Sequence, residues 1–315
     1  MRIFTLYQKV ALKNFAKRII ERRYSFSLKF LKTPHHYYII RRHKPWAGFF
    51  ANYLFVATHI EYAISKGYIP VVDMENFATL YNEDHLVDGI ANAWEYYFSQ
   101  PHQVTLDDAY HSGNYILSDT SNYLKRLPYR EGYGLFEINE DKLKRFNREI
   151  CHLIPLKPSI QAKLDQECEV FQGVSKILGV HVRGTDKRKY VVDHHISALA
   201  NVYLDKTEEI LNLYHVDKIF LCSDEEETVS LFREKFGNLV YVNNAFRAKD
   251  NDTEGVHLRK TNVRENHKYL LGYEVLRDCY MLSKCNYIIF SHSNVTNVAL
   301  IWNNNKYEHK CFVEG

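Results

Sequence analysis

From residue 176 onward the chain alternates short apolar runs with longer amphipathic stretches, and that alternation limits what its second half can fold into. Residues 176–182 (KILGVHV), 218–223 (KIFLCS), 239–243 and 286–291 (NYIIFS) read as strands, and residues 196–214, 225–236, 269–284 and 294–302 read as helices. Strands separated by helices at this spacing need right-handed crossover connections, and such connections build a doubly wound parallel sheet. The carboxy-terminal half is therefore expected to be an α/β, Rossmann-like lobe.

A chain of 315 residues exceeds the size at which one hydrophobic core stops growing, about 250 to 300 residues, so two lobes with a cleft between them are expected. With 46% hydrophobic and 25% charged residues the sequence is that of an ordinary globular protein, which excludes collagen-like and low-complexity chains. In the first half, residues 37–40 read as a strand, 49–65 as a helix and 68–74 (YIPVVDM) as a second strand. Gly48 stands at the helix start, where backbone N–H groups can face an anion or a sugar. Residues 75–149 carry no regular period and receive no assignment. The expected domains are an arm at 1–34, an amino-terminal lobe at 35–165 and a nucleotide-binding lobe at 166–315.

The formal net charge of +3 conceals an uneven distribution. Residues 1–44 hold 12 Lys and Arg against one acid, Glu21, which leaves 29 basic against 37 acidic residues in the rest. Read as a helix, Ile3, Tyr7, Ala11, Phe15 and Ile19 form one row and Lys9, Lys13 and Lys17 another, about 200° apart. An apolar face opposite a basic one suits a helix lying on an anionic membrane, here through residues 1–32, or a solvated helix against the globule. Nucleic acid is not expected as a partner, because the body is acidic. The six cysteines form no C-x-x-C pair or zinc spacing, and there is neither a run of about 18 apolar residues nor a signal-peptide core. A cytoplasmic location is expected, peripheral on the inner face of the membrane if the arm binds there.

In open parallel sheets, ligands bind at the carboxyl ends of the strands. Here those ends read HVRGTDK (181–187), CSDEEE (222–227) and SHSN (291–294), so three strands deliver polar groups to one rim. The insertion at 245–268 adds His257, Arg259, Lys260, Arg264, His267 and Lys268 beside that rim. Guanidinium groups hold phosphate oxygens in paired hydrogen bonds, so these cations can neutralise a diphosphate without a metal. The Asp250-Asn251-Asp252 triplet fits a D-x-D metal pattern but lies in a loop, and no metal site is expected. A P-loop, a G-x-G-x-x-G fingerprint and a G-x-S-x-G elbow are all absent from the sequence.

Residues 177–187 (ILGVHVRGTDK) resemble the first motif, H-x-R-x-T-D-K, of the α1,6-fucosyltransferases and the related nodulation and protein O-fucosyltransferases. The resemblance continues through Ser223-Asp224 and GVHLR (255–259) to GYEVLRDCYMLSKCNYIIFSHSN (272–294), about 120 residues in all. It implies a GT-B-like fold, two Rossmann-like lobes with a cleft between them, and a GDP-fucose donor bound by the carboxy-terminal lobe. It also implies inverting transfer to a cell-surface glycan acceptor, with no cofactor and no metal. Carried residue by residue, Arg183 holds the β-phosphate and Lys187 assists the departing diphosphate. His181 and Asp278 face the guanosine, Ser293 and Asn294 the phosphates, Asp186 and Asp224 orient the motif and the nucleotide-side loop, and Arg259 joins the donor site. Two departures stand out: Gly184 replaces the second Arg of related enzymes, and Val191 stands near the spacing of their general base. Asp193 is the nearest carboxylate, followed by His194 and His195, and is the expected base. A transferase of the same fold using another GDP-sugar, or a nonenzymatic nucleotide-sugar-binding protein, are the alternatives.

Overall fold

In the computed structural model, which describes residues 37–42, 45–118, 140–183, 196–248 and 264–314, two parallel sheets organise the chain. Contacts divide it into two compact units. One gathers the described residues up to 118, Arg145–Gln161 and Asn266–Gly272; the other gathers those of Leu135–Lys144, Ala162–Glu265 and Tyr273–Gly315.

In the first unit, β1 (Tyr37–Ile40) leads through α1 (Phe49–Ser65) to β2 (Ile69–Val72), and α2 (Leu106–His111) precedes β3 (Tyr115–Leu117). The three strands are parallel in the order β2-β1-β3. Gly48 is the N-cap of α1, and no side chain caps that end. The stretch without a sequence period, 75–118, owes its shape to side chains rather than to periodicity. Thr105 and Asp108 form a capping box at α2, and Asn92 caps a short 3-10 turn at Ala93–Tyr96. Phe49, Tyr53, Trp94, Tyr97 and Phe98 form an aromatic core there, with ring centroids 4.5 to 6.4 Å apart. At the carboxyl edge of this sheet Arg41, Asp73 and Ser118 follow the three strands, all buried. The Asp73 carboxylate accepts from Tyr110 Oη at 2.6 Å and from the backbone N–H of Asn76 at 2.8 Å, and Arg41 lies 4.3 Å from the Phe77 ring centre.

α3 (Glu140–Glu149) and α4 (Pro158–Glu167) lead to the second unit's sheet. There β4 (Ile177–Val182), α5 (Ile196–Leu213), β5 (Lys218–Ser223), α6 (Glu226–Phe236), β6 (Val240–Tyr241), α7 (His267–Leu282), β7 (Tyr287–Phe290), α8 (Asn294–Asn303) and β8 (His309–Phe312) follow in turn. The sheet is wholly parallel in the order β6-β5-β4-β7-β8. The expected doubly wound sheet is present, with β8 as an additional edge strand. All six residues of β4 are buried, as a central strand covered on both faces requires. α6 ends at Gly237, whose φ of 56° lies where only glycine is unstrained. The strand expected at 239–243 stops at Tyr241, because Asn243 and Asn244 turn their polar groups into side-chain contacts described below.

Candidate functional site

The second sheet is wound outward from β4 through β5 to β6, and the chain then returns to place β7 on the other side of β4. The connections therefore diverge between β4 and β7, and the crevice at their carboxyl ends is where such a sheet binds ligands. His181 is the fifth residue of β4, and Arg183 follows the strand directly. Across the crevice β7 runs through Ser291 and His292 into α8. Ser293 is the N-cap of that helix, its Oγ accepting from the backbone N–H of Val295 at 3.2 Å, and Asn294 is the first helical residue. Thr296 Oγ1 donates to the carbonyls of Ser291 and Ser293 at 2.9 and 3.0 Å and fixes the turn. A helix start of this kind places backbone N–H groups and the positive end of the helix dipole at the rim.

His181 is 8% exposed, and its Nδ1 has no hydrogen-bond partner among the described residues. Burial, reinforced by the charge of Arg183 and only partly opposed by Asp224, pulls its pKa down to about 4. The imidazole is therefore neutral at physiological pH and can bind a polar group without adding charge. Asp224 follows β5, and its backbone carbonyl accepts from Ala248 N–H at 2.8 Å, while Ala248 returns a carbonyl to Glu226 N–H at 3.0 Å. The loop after β6 is thus held as an extra parallel bridge beside the end of β5.

Two arginines hold that loop. Arg247 donates through Nε to the carbonyl of Ser223 at 3.2 Å and through its guanidinium to the carbonyl of Asn243. Arg277, on α7, donates to the carbonyl of Asn244 at 2.7 Å and lies 3.6 Å from Glu167. One residue on, the Asp278 carboxylate accepts from Asn243 Nδ2 at 2.7 Å. Burial raises the pKa of Asp278, and Arg277 and the Asn243 hydrogen bond work against that rise. Asp278 is legible in the sequence, whereas the contacts that Asn243, Arg247 and Arg277 make around it form only in three dimensions.

The candidate residues His181, Arg183, Asp224, Asp278, Ser293 and Asn294 all belong to the carboxyl edge of this one sheet or to α7 beside it. Asp186, Lys187, Asp193 and Arg259 lie outside the described residues, as do the Asp250–Asp252 triplet and the basic arm. Two cations expected at the rim, Arg264 and Lys268, pair with carboxylates. Arg264 forms an ion pair with Glu274 at 2.6 Å, so its charge is already matched. His267 and Lys268 fall in the first unit, where Lys268 pairs with Asp84 at 3.0 Å. Among the described residues no cluster of three His, Cys, Asp or Glu is placed to hold a metal ion.

A family model described as nodulation protein Z (NodZ) matches residues 140–302. Among solved structures, the fucosyltransferase NodZ from Bradyrhizobium is 18% identical, with a TM-score of 0.51 over 84% of this chain and 92% of that one. A NodZ alpha-1,6-fucosyltransferase soaked with GDP-fucose is also 18% identical, with a TM-score of 0.53 over the same shares of 84% and 92%. No curated protein matches the chain in sequence. The structural matches carry the fold, which is the mixed α/β, parallel-sheet architecture of GT-B-type enzymes.

Proposed function

The chain belongs to the NodZ family, and on that premise we propose that it is a glycosyltransferase that moves fucose from GDP-fucose to a glycan acceptor. What supports this reading is position in the sheet: His181 and Arg183 stand at the end of β4, Ser293 and Asn294 at the start of the helix after β7, Asp224 after β5 and Asp278 on α7. The diphosphate of the donor lies against Arg183 and the start of α8, and the guanosine lies toward His181 and Asp278. As the bond between fucose and diphosphate breaks, negative charge grows on the β-phosphate, and a fixed guanidinium at that point lowers the barrier. Lys187 assists the same departure. Protein cations and helix N–H groups neutralise the diphosphate, so no divalent metal is required.

The acceptor hydroxyl attacks the anomeric carbon from the face opposite the leaving GDP and inverts it, and its proton passes to the Asp193 carboxylate. The acceptor is a cell-surface glycan, and Arg259 completes the donor side. The protein works at the inner face of the cytoplasmic membrane, with residues 1–32 resting on anionic lipid. No helix among the described residues is long and apolar enough to cross a membrane. Incubation of the full chain with labelled GDP-fucose and a panel of glycans tests the reading. Fucosylated product from one acceptor class supports it; product from another GDP-sugar but none from GDP-fucose overturns the assignment of the donor.

A further inference from the structure

We propose that Asn243 and Tyr241 are positioning residues for recognition of the donor's base, holding the Asp278 carboxylate so that it accepts from the exocyclic amino group of guanine. This rests on the donor reading given above. Asp278 Oδ1 accepts from Asn243 Nδ2 at 2.7 Å. The orientation of that amide is fixed, because Asn243 Oδ1 accepts from the Tyr241 hydroxyl at 3.1 Å and the residue is only 3% exposed. The NH2 end therefore points at Asp278.

Arg277 Nε lies 3.9 Å from the same Oδ1. Asp278 Oδ2 makes no hydrogen bond among the described residues, and 19% of the side chain remains accessible. A carboxylate anchored by one oxygen presents the other, together with a spare lone pair on the first, to a ligand with two adjacent donors. Guanine offers that pair in its N1–H and 2-amino groups. Hypoxanthine keeps the N1–H and lacks the amino group, and adenine lacks the N1–H. The same anchoring hydrogen bond favours the ionised form against the effect of burial, and only the ionised form accepts from both donors.

Titration calorimetry of the full chain with GDP and with IDP, for the wild type, Asn243→Ala and Tyr241→Phe, tests the inference. The wild type is expected to favour GDP over IDP about tenfold, as one hydrogen bond to a charged acceptor allows. Both variants should lose most of that preference, with GDP affinity falling several-fold further than IDP affinity, because GDP loses two contacts to Asp278 and IDP only the N1–H one. Tyr241→Phe keeps the ring between Phe171 and Phe220 and carries the test should Asn243→Ala fail to fold. A proportional loss of GDP and IDP binding would show that Asn243 serves stability alone, and a wild type without preference would remove the base reading of Asp278; either result overturns the inference and leaves the donor reading standing. A wild type that binds neither nucleotide removes the donor reading, and this inference with it.

Discussion

Gly179 and Cys285 meet so closely that a β-carbon added to the glycine would stand 3.1 Å from the cysteine sulfur. The same carbon would lie 2.9 Å from a methyl group of Leu282, the last residue of α7. The bare backbone of β4 thus lets α7 seat directly on it, and α7 carries Arg277 and Asp278 to the rim where β4 ends in His181. Gly179→Ala is expected to lose about 1 to 3 kcal/mol of stability, the usual cost of overpacking a closed core. Chemical denaturation measures it, and an unchanged midpoint would mean that the α7 contact yields freely.

His181 makes the stability of the second unit depend on pH. Its pKa is about 4 in the folded protein against an ordinary value of 6.5, so between those values the unfolded chain binds more protons. Stability should therefore fall as pH drops from 6.5 toward 4, by up to about 3 kcal/mol, and His181→Gln should flatten that part of the profile. Denaturation curves for the two proteins at several pH values decide the matter; parallel profiles would place the histidine in water.

Transfer should survive chelation. If protein cations and the α8 start neutralise the diphosphate, EDTA leaves the rate of GDP-fucose turnover unchanged. A rate abolished by EDTA and restored by magnesium or manganese would contradict this and return Asp250 and Asp252 to consideration.

Removal of residues 1–32 should release the protein from vesicles containing anionic lipid, because each basic residue near such a surface contributes about 1 kcal/mol. Co-sedimentation of the full and shortened chains compares them directly. Equal binding by both, or by neither, would contradict a membrane role for the arm.

The central strands and their helices were legible because their physics is local. β5 runs over the expected residues 218–223, and β1 and α1 over the expected 37–40 and 49–65, since each is a run of one period bounded by turn residues. β8 is not legible in the sequence, because HKCF has no strand period and its residues are half-buried or exposed, so only the ladder with β7 defines it. Of the site, His181, Arg183, Asp224, Ser293 and Asn294 were visible as polar residues ending apolar strands. Asn243, Arg247 and Arg277 were not, because each works through carbonyls or carboxylates distant in sequence. Arg264 and Lys268 read as surplus cations only because their partners, Glu274 and Asp84, cannot be inferred from spacing.

The measurement that reaches the proposal most directly is the GDP affinity of Arg183→Ala beside that of the wild type, by titration calorimetry at one salt concentration. Loss of a charge-assisted contact to the β-phosphate should weaken binding by roughly 1.5 to 3 kcal/mol, about 10- to 150-fold, with the thermal unfolding of the variant close to that of the wild type. Equal affinity in the two proteins would contradict the account and move the diphosphate away from the crevice between β4 and β7.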